Sequence, residues 1–129
     1  MTGQVTADLE AMVPLRLLGP DRRARELTAL IDTGFNGYLT APGGFIEALA
    51  LPLCGHTEVE LGDGQLVSFP TFEALVEWFG QKREITVLAS AGGFMVGMSL
   101  LRGCRLSMDI EPEGLVDVVP RAKDPATNH

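Results

Sequence analysis

The sequence is poor in the residues on which several common classes of protein depend. It has 2 cysteines and 2 histidines among 129 residues. Cys54 and Cys104 are too few for a disulfide framework, and we expect them to be a reduced, buried pair. His56 has no Cys, His or Asp neighbours at metal-ligand spacing, so we interpret it as a loop histidine. These absences exclude a zinc site and a histidine-dependent hydrolase. We expect no cofactor and no metal, and any chemistry would use carboxylates, hydroxyls or thiols.

Positive charge and long apolar runs are also scarce. The chain has 10 Lys and Arg against 17 Asp and Glu, a net charge of −7, which argues against a nucleic-acid partner. No apolar run approaches the roughly 20 residues that span a bilayer. The N-terminal segment, with Asp8 and Glu10, lacks the basic and apolar regions of a signal peptide. We therefore predict a cytoplasmic protein with neither nucleic acid nor membrane as a partner.

Glycine and proline, in contrast, are frequent, with 15 and 8 residues that separate short apolar runs. This spacing predicts an all-β fold with one or two short helices. It also predicts one domain over residues 1–119, followed by a disordered tail over 120–129. Alternating apolar residues over 13–17 and 27–31 predict a hairpin. A second hairpin is predicted around Gly62-Asp63-Gly64, which is a turn signal.

The remaining segments give less uniform signals. The apolar residues of 71–79 fit both one face of a helix and one face of a strand. We favour a strand, because the apolar run 85–88 that follows could pair with it as the next strand. Residues 106–110 and 115–119 predict two strands joined by a type I turn over 111–114. Two short helices are predicted over 45–50 and 98–102, and Gly103 would end the second.

One tripeptide, Asp32-Thr33-Gly34, could carry chemistry. It follows the apolar residues Ala29-Leu30-Ile31, so a buried strand would deliver the carboxylate. Thr33 places a hydroxyl beside it, and Gly34 lets the backbone turn closely under it. An aspartate at the end of a strand is most often a turn former, and the triplet by itself is a weak signal. Its position after an apolar strand strengthens it.

In this setting the sequence resembles the retropepsin-like, single-domain aspartic proteases, and most closely their small prokaryotic members. Asp32-Thr33-Gly34 resembles their active-site motif, and Met95-Val96-Gly97 before residues 98–102 resembles their second landmark, an apolar pair and a glycine before a C-terminal helix. The hairpin over 57–69 stands in order where the family has its flap. The resemblance covers about residues 9–119 and implies a closed acid-protease-like barrel, with one lobe per chain. Phe35 and Met98 depart from the pattern, because retroviral enzymes have alanine and often a polar residue there.

The chemistry implied by this resemblance requires two carboxylates. The ionised one takes a proton from water while the protonated one donates to the substrate carbonyl. The chain has one Asp-Thr-Gly triplet, and Asp63 and Asp109 lie outside any such triplet. A monomer would therefore be incomplete, and the resemblance implies a C2 homodimer that pairs Asp32 with its twin.

The resemblance also implies a role for each site residue. Asp32 activates the water, Thr33 ties the two active-site loops together, and Gly34 contributes backbone contacts. Gly62, Asp63 and Gly64 would bind an extended peptide, with Asp63 favouring basic side chains. Two alternatives remain: a catalytically inactive dimeric module of the same fold that binds peptides or serves as a scaffold, and an unrelated barrel in which the triplet is only a turn.

Overall fold

The computed structural model describes residues 1–122, which form ten strands and two short helices. The strands are β1 (Thr2–Val5), β2 (Ala11–Leu18), β3 (Ala24–Ile31), β4 (Leu39–Ala41), β5 (Leu53–Glu60), β6 (Leu66–Trp78), β7 (Gln81–Ala89), β8 (Met95–Val96), β9 (Cys104–Met108) and β10 (Leu115–Pro120). The helices are α1 (Gly43–Ala48) and α2 (Met98–Leu101). The all-β prediction with one or two short helices is confirmed.

The predicted hairpins are present. β2 pairs antiparallel with β3, and β5 with β6 across the tip at 61–65. The ambiguous segment 71–79 is a strand, because β6 runs to Trp78 and pairs with β7. Its inward face carries Ala74, Val76 and Trp78, all buried. Successive side chains of a strand point to opposite faces of the sheet, which explains why every second residue is buried here.

All ten strands belong to one sheet, in the order β5-β6-β7-β4-β8-β3-β2-β1-β10-β9, and β6 also pairs with β2. This additional pairing returns the sheet on itself, so β2, β3, β8, β4, β7 and β6 form a closed circuit of pairings. The core is mostly aliphatic, with Trp78 as its buried aromatic residue, and its largest fully buried side chains are Leu17, Leu39 and Leu100. The sheet therefore supplies a rigid frame for the loops at its ends.

The turn over 111–114 differs from the prediction. Gly114 N–H donates to Glu111 O at 2.8 Å and closes a four-residue turn, but Glu113 has a φ of +67°. With Pro112 second, a positive φ at the third residue gives a type II turn, not type I. The cause is tertiary, because Glu113 N–H donates to Val5 O at 2.8 Å and Val5 N–H donates to Gly114 O at 2.9 Å.

Two predictions about single residues are wrong. Cys54 is exposed and Cys104 is half-buried, so the free cysteines are not a buried pair. His56 lies on strand β5 and is exposed, rather than in a loop. The exposure of Cys54 and of His56 has one cause, because both belong to β5, which lies at the edge of the sheet with its side chains largely in solvent.

The last strand extends one residue beyond the predicted domain boundary. β10 ends at Pro120, and Arg121 N–H donates to Gly103 O at 2.9 Å. Most of the predicted tail, residues 123–129, lies outside the described residues. Within residues 1–122, no helix is long and apolar enough to cross a membrane.

Candidate active site

Asp32 directly follows the last residue of β3, and strand β8 fixes its backbone. Asp32 N–H donates to Val96 O at 2.9 Å, and Leu30 N–H donates to Phe94 O at 3.0 Å. β8 runs parallel to β3, so it holds the backbone as far as Asp32. The chain then leaves the sheet, which places a half-buried carboxylate at the end of a buried strand.

A local turn orients the Asp32 carboxylate. Oδ1 of Asp32 accepts the Gly34 N–H at 2.9 Å, and Asp32 O accepts the Phe35 N–H at 3.1 Å. This is the self-capping geometry that aspartate favours in turns. Thr33 and Gly34 are both exposed. The predicted triplet therefore forms a compact loop that presents a carboxylate and a hydroxyl at the surface.

The segment that begins at Gly97 supports this loop from behind. Gly97 N–H donates to Tyr38 O at 3.0 Å, and Met98 N–H donates to Phe35 O at 2.7 Å. Ser99 N–H donates to Gly37 O at 3.1 Å. These hydrogen bonds join the two landmarks of the sequence, although more than 60 residues separate Asp32 from Gly97 along the chain.

The Phe35 ring packs over two glycines. A Cβ on Gly97 would lie 2.5 Å from Phe35 Cδ2 and 2.3 Å from Gly37 O. A Cβ on Gly37 would lie 2.4 Å from Phe35 Cζ. Both positions therefore require glycine while the ring occupies this space. The departure of Phe35 from the family pattern has a structural explanation, because its ring fills the gap between the two landmarks.

Two residues that the sequence analysis missed also support the site. Thr40 is 2% exposed; its Oγ1 donates to Gly93 O at 2.7 Å and accepts the Met95 N–H at 3.0 Å. Arg83 donates to Leu100 O at 3.3 Å, and its guanidinium carbon lies 5.4 Å from the centroid of the Tyr38 ring. No local pattern marks either residue, because their partners lie far away in the sequence.

A cavity of about 390 Å³ lies between the Asp32 loop and the β5–β6 hairpin. Its size suits a small ligand or part of a peptide. Of its lining residues only Glu58 and Glu60 are charged, and both are acidic. The lining comprises Gly34, Phe35, Asn36, Gly37, Tyr38, Thr57, Glu58, Val59, Glu60, Thr71, Thr86 and Leu88.

The predicted binding residues at the hairpin tip do not line this cavity. Gly62, Asp63 and Gly64 are exposed at the end of the hairpin. Oδ1 of Asp63 accepts the Gln65 N–H at 2.9 Å, so this carboxylate is engaged within its own turn. The structure instead brings β5 residues 57–60 to the cavity. No local signal marks these residues, because their position depends on how the hairpin folds over the loop.

A larger cavity, of about 680 Å³, lies against β2, β3 and the turn between β6 and β7. It shares no lining residue with the smaller cavity, which Gly34 lines and Asp32 and Thr33 do not. Two of its charged residues are paired, because Arg16 Nη1 lies 3.2 Å from Glu77 Oε2. We therefore place the candidate active site at the smaller cavity.

Comparison with known proteins supports the architecture. The structure is similar to the crystal structure of a retropepsin-like aspartic protease from Rickettsia conorii, with a TM-score of 0.56 over 95% of this chain and 91% of that chain. This chain has a retropepsin-like fold. The two sequences are 14% identical, so the likeness concerns the fold alone. No protein-family model and no curated protein matches the sequence.

Proposed function

We propose that this protein is a homodimeric aspartic endopeptidase. The observation that carries the proposal is the position of Asp32 at the end of β3, with its carboxylate oriented by the Gly34 N–H in a retropepsin-like fold. The cavity beside this loop has a suitable size for side chains of a peptide. The similar solved structure is described as an aspartic protease.

The reaction requires a second copy of the chain. Peptide hydrolysis by carboxylates uses a pair that shares one proton, with one acting as base and the other as acid. Each chain supplies one Asp-Thr-Gly triplet. A two-fold axis beside the loop would bring Asp32 of both copies together, and the water between them would attack the scissile carbonyl.

The geometry suggests a role for each atom. Oδ1 of Asp32 is engaged by the Gly34 N–H, so Oδ2 is the oxygen that would contact the water or the partner carboxylate. The Thr33 hydroxyl, exposed on the next residue, would link the two loops across the axis. An extended peptide would bind against the β5–β6 hairpin as an added strand, with backbone groups of Gly62, Asp63 and Gly64 closing over it.

The first test replaces the proposed catalytic carboxylate. We expect Asp32→Asn to lower cleavage of a broad peptide library by about 10³-fold or more, because it removes the acid–base pair. Asp21→Asn is the matched control: Asp21 Oδ1 accepts the Arg23 N–H at 2.9 Å, so it occupies the same kind of turn. Circular dichroism checks that both variants fold, and inhibition by pepstatin-like compounds is expected for the wild type.

The second test counts the carboxylates needed for activity. Wild type and Asp32→Asn are mixed in equal amounts and allowed to exchange subunits. If both copies of Asp32 are required, about one quarter of the dimers remain active, as random pairing dictates. If one carboxylate is enough for cleavage, the mixture keeps about half or more of the activity of wild type at the same total concentration. The latter result would contradict the shared pair.

The alternative is a peptide-binding dimer of the same fold that cleaves nothing. It is favoured by Phe35, which stands beside the triplet and whose side chain can donate no hydrogen bond to the carboxylate. A folded dimer that binds extended peptides, with identical behaviour for wild type and Asp32→Asn in every cleavage assay, would support this alternative.

A further inference from the structure

The larger cavity, against β2, β3 and the β6–β7 turn, takes no part in the proposed catalysis. It opens where the pairing of β2 with β6 ends, and that pairing consists of Leu17 with Val76 and Leu18 with Leu75. Pro14, which lines the cavity, has no N–H with which to continue the ladder. The cavity volume of about 680 Å³ lies within the range of small-ligand sites, about 300–1,000 Å³. A ligand the size of a short peptide therefore has room here.

An aromatic side chain on a strained turn lines this cavity. Phe79 and Gly80 form the two-residue loop between β6 and β7, with φ values of +50° and +79°. Positive φ at both positions gives a type I′ turn, which favours Asn-Gly and is unfavourable for a bulky residue. Phe79 remains 37% exposed, so the strain does not serve to bury its ring completely. Residues held in unfavourable conformations concentrate at binding sites, which marks Phe79 as a ligand contact.

One positive charge in the lining has no partner. Arg16 engages both lining carboxylates, because its Nη1 lies 3.2 Å from Glu77 Oε2 and its Nε lies 3.9 Å from Glu26 Oε1. Lys82 stands opposite Glu77 in the β6–β7 pair but makes no ion pair with any of residues 1–122. The charge left for a ligand is therefore an ammonium group, which suits a carboxylate. The net charge of −7 opposes an anion only weakly, because salt screens distant charges.

The uncharged polar residues of the lining suit amide groups. Thr28 has a hydroxyl group and Gln81 has a side-chain amide, and each can both donate and accept a hydrogen bond. Both residues are exposed, so a ligand can reach them. A peptide supplies amide groups for these residues and, at its C-terminus, a carboxylate for Lys82. A ring on its last residue would pack against Phe79.

We propose that the larger cavity binds the C-terminal end of a peptide whose last residue is aromatic. The ring packs against Phe79 and the terminal carboxylate binds Lys82, while the peptide groups contact Thr28 and Gln81. The cavity shares no lining residue with the candidate active site, so this inference goes beyond the proposed function and does not depend on it. A free aromatic carboxylic acid carries the same ring and charge, and the experiment distinguishes these two sources.

The test is an NMR titration of the backbone amides of the full chain with acetyl-Gly-Gly-Phe. We expect a Kd of about 1 mM or lower, with the largest shifts at Phe79, Gly80 and Lys82. The same peptide with a C-terminal amide should bind about 5-fold more weakly, because it has no charge for Lys82. N-acetylphenylalanine, the free-acid probe, should bind about 10-fold more weakly than the tripeptide, because it lacks the two additional peptide groups.

Two substitutions separate binding from a structural role. Phe79→Asn gives the turn its favoured pair of residues, so Tm should stay unchanged or rise. Loss of the ring contact should weaken tripeptide binding by about 10-fold or more. Lys82→Gln should bind the acid and the amide peptide equally, because the charge that distinguishes them is gone. Leu66→Asn is the control: Leu66 is 62% exposed at the other end of β6, and binding should be unchanged.

Several results would overturn the site. These are the absence of shifts at about 5 mM tripeptide, unchanged affinity in Phe79→Asn, and a decrease in Tm in that variant, which would show that the ring serves the fold. Equal affinity for N-acetylphenylalanine and the tripeptide would assign the cavity to free acids instead of peptide ends. If Phe79→Asn does not fold, the acid and amide comparison in Lys82→Gln decides, and a remaining preference for the acid would contradict the role of Lys82. Asp32→Asn should bind as wild type does, so the result is independent of peptidase activity.

Discussion

The contact between Gly97 and the Asp32 loop gives a prediction that depends directly on the fold. In Gly97→Ala, the new methyl group would lie 2.3 Å from Gly37 O, 2.5 Å from Phe35 Cδ2 and 2.7 Å from Phe35 O. Two of these atoms belong to the backbone, so a change of side-chain rotamer cannot relieve all of the overlap. The segment after β8 and the Asp32 loop must move apart.

The cost follows from what this movement disrupts. Overpacking a tightly packed interior costs about 1–3 kcal/mol. Separation also weakens the hydrogen bonds that Gly97, Met98 and Ser99 donate to the loop, each worth about 1 kcal/mol. We expect Gly97→Ala to lower the free energy of unfolding by about 3 kcal/mol. For a chain of this size, that corresponds to a decrease in Tm of about 10 °C.

Urea denaturation followed by fluorescence of Trp78, the single and buried tryptophan, measures this loss at fixed protein concentration. Gly44→Ala is the control, because a Cβ there meets no atom within 4 Å and Gly44 lies within α1. Alanine is favoured over glycine in helices by about 0.5–1 kcal/mol, so this variant should be at least as stable as wild type. A loss of less than about 1 kcal/mol in Gly97→Ala would refute the close packing of the two landmarks.

Two further predictions concern the cysteines and the cavity. Iodoacetamide at about pH 8 should alkylate Cys54 before Cys104, because Cys54 is exposed. Burial raises the pKa of the Cys104 thiol, so less of the reactive thiolate is present at this pH. Peptide mass spectrometry gives the order, and faster labelling of Cys104 would contradict it. Replacing Glu58 and Glu60 with lysine should shift relative kcat/KM from basic towards acidic peptides by about 10-fold, because they are the only charged residues of the cavity lining. Asp63→Asn lies outside that lining and should leave the relative kcat/KM for basic and acidic peptides unchanged. If Asp63→Asn alone shifted this preference, the residue that sets specificity would lie at the hairpin tip.

The local elements could be predicted because short-range signals specify them. Alternation of apolar residues identified β2 and β3, and Gly62-Asp63-Gly64 identified the hairpin of β5 and β6. Gly103, with a φ of +84°, follows α2 as predicted. In each case the residues that specify the element are its own, or lie next to it in the chain. The Asp32 triplet was visible for the same reason, since an apolar strand precedes it directly.

The edge strand β5 shows where local signals fail. Cysteine packs as a small apolar residue in most contexts, yet Cys54 is exposed because β5 is the edge strand of the sheet and its side chains lie largely in solvent. The same strand brings Glu58 and Glu60 to the cavity instead of the hairpin tip. Burial and proximity of this kind depend on the position of the whole strand in the sheet, which adjacent residues do not encode.

The sequence by itself determined that the chain is mostly strand and that one aspartate, Asp32, stands at the end of an apolar strand. Only the tertiary structure decided what surrounds that carboxylate: Gly97 behind its loop and β5 across the cavity. The physical reason is the length scale of the interactions. Turns and strand alternation arise from neighbouring residues, whereas the site is assembled by pairings such as β3 with β8, which join segments more than 60 residues apart.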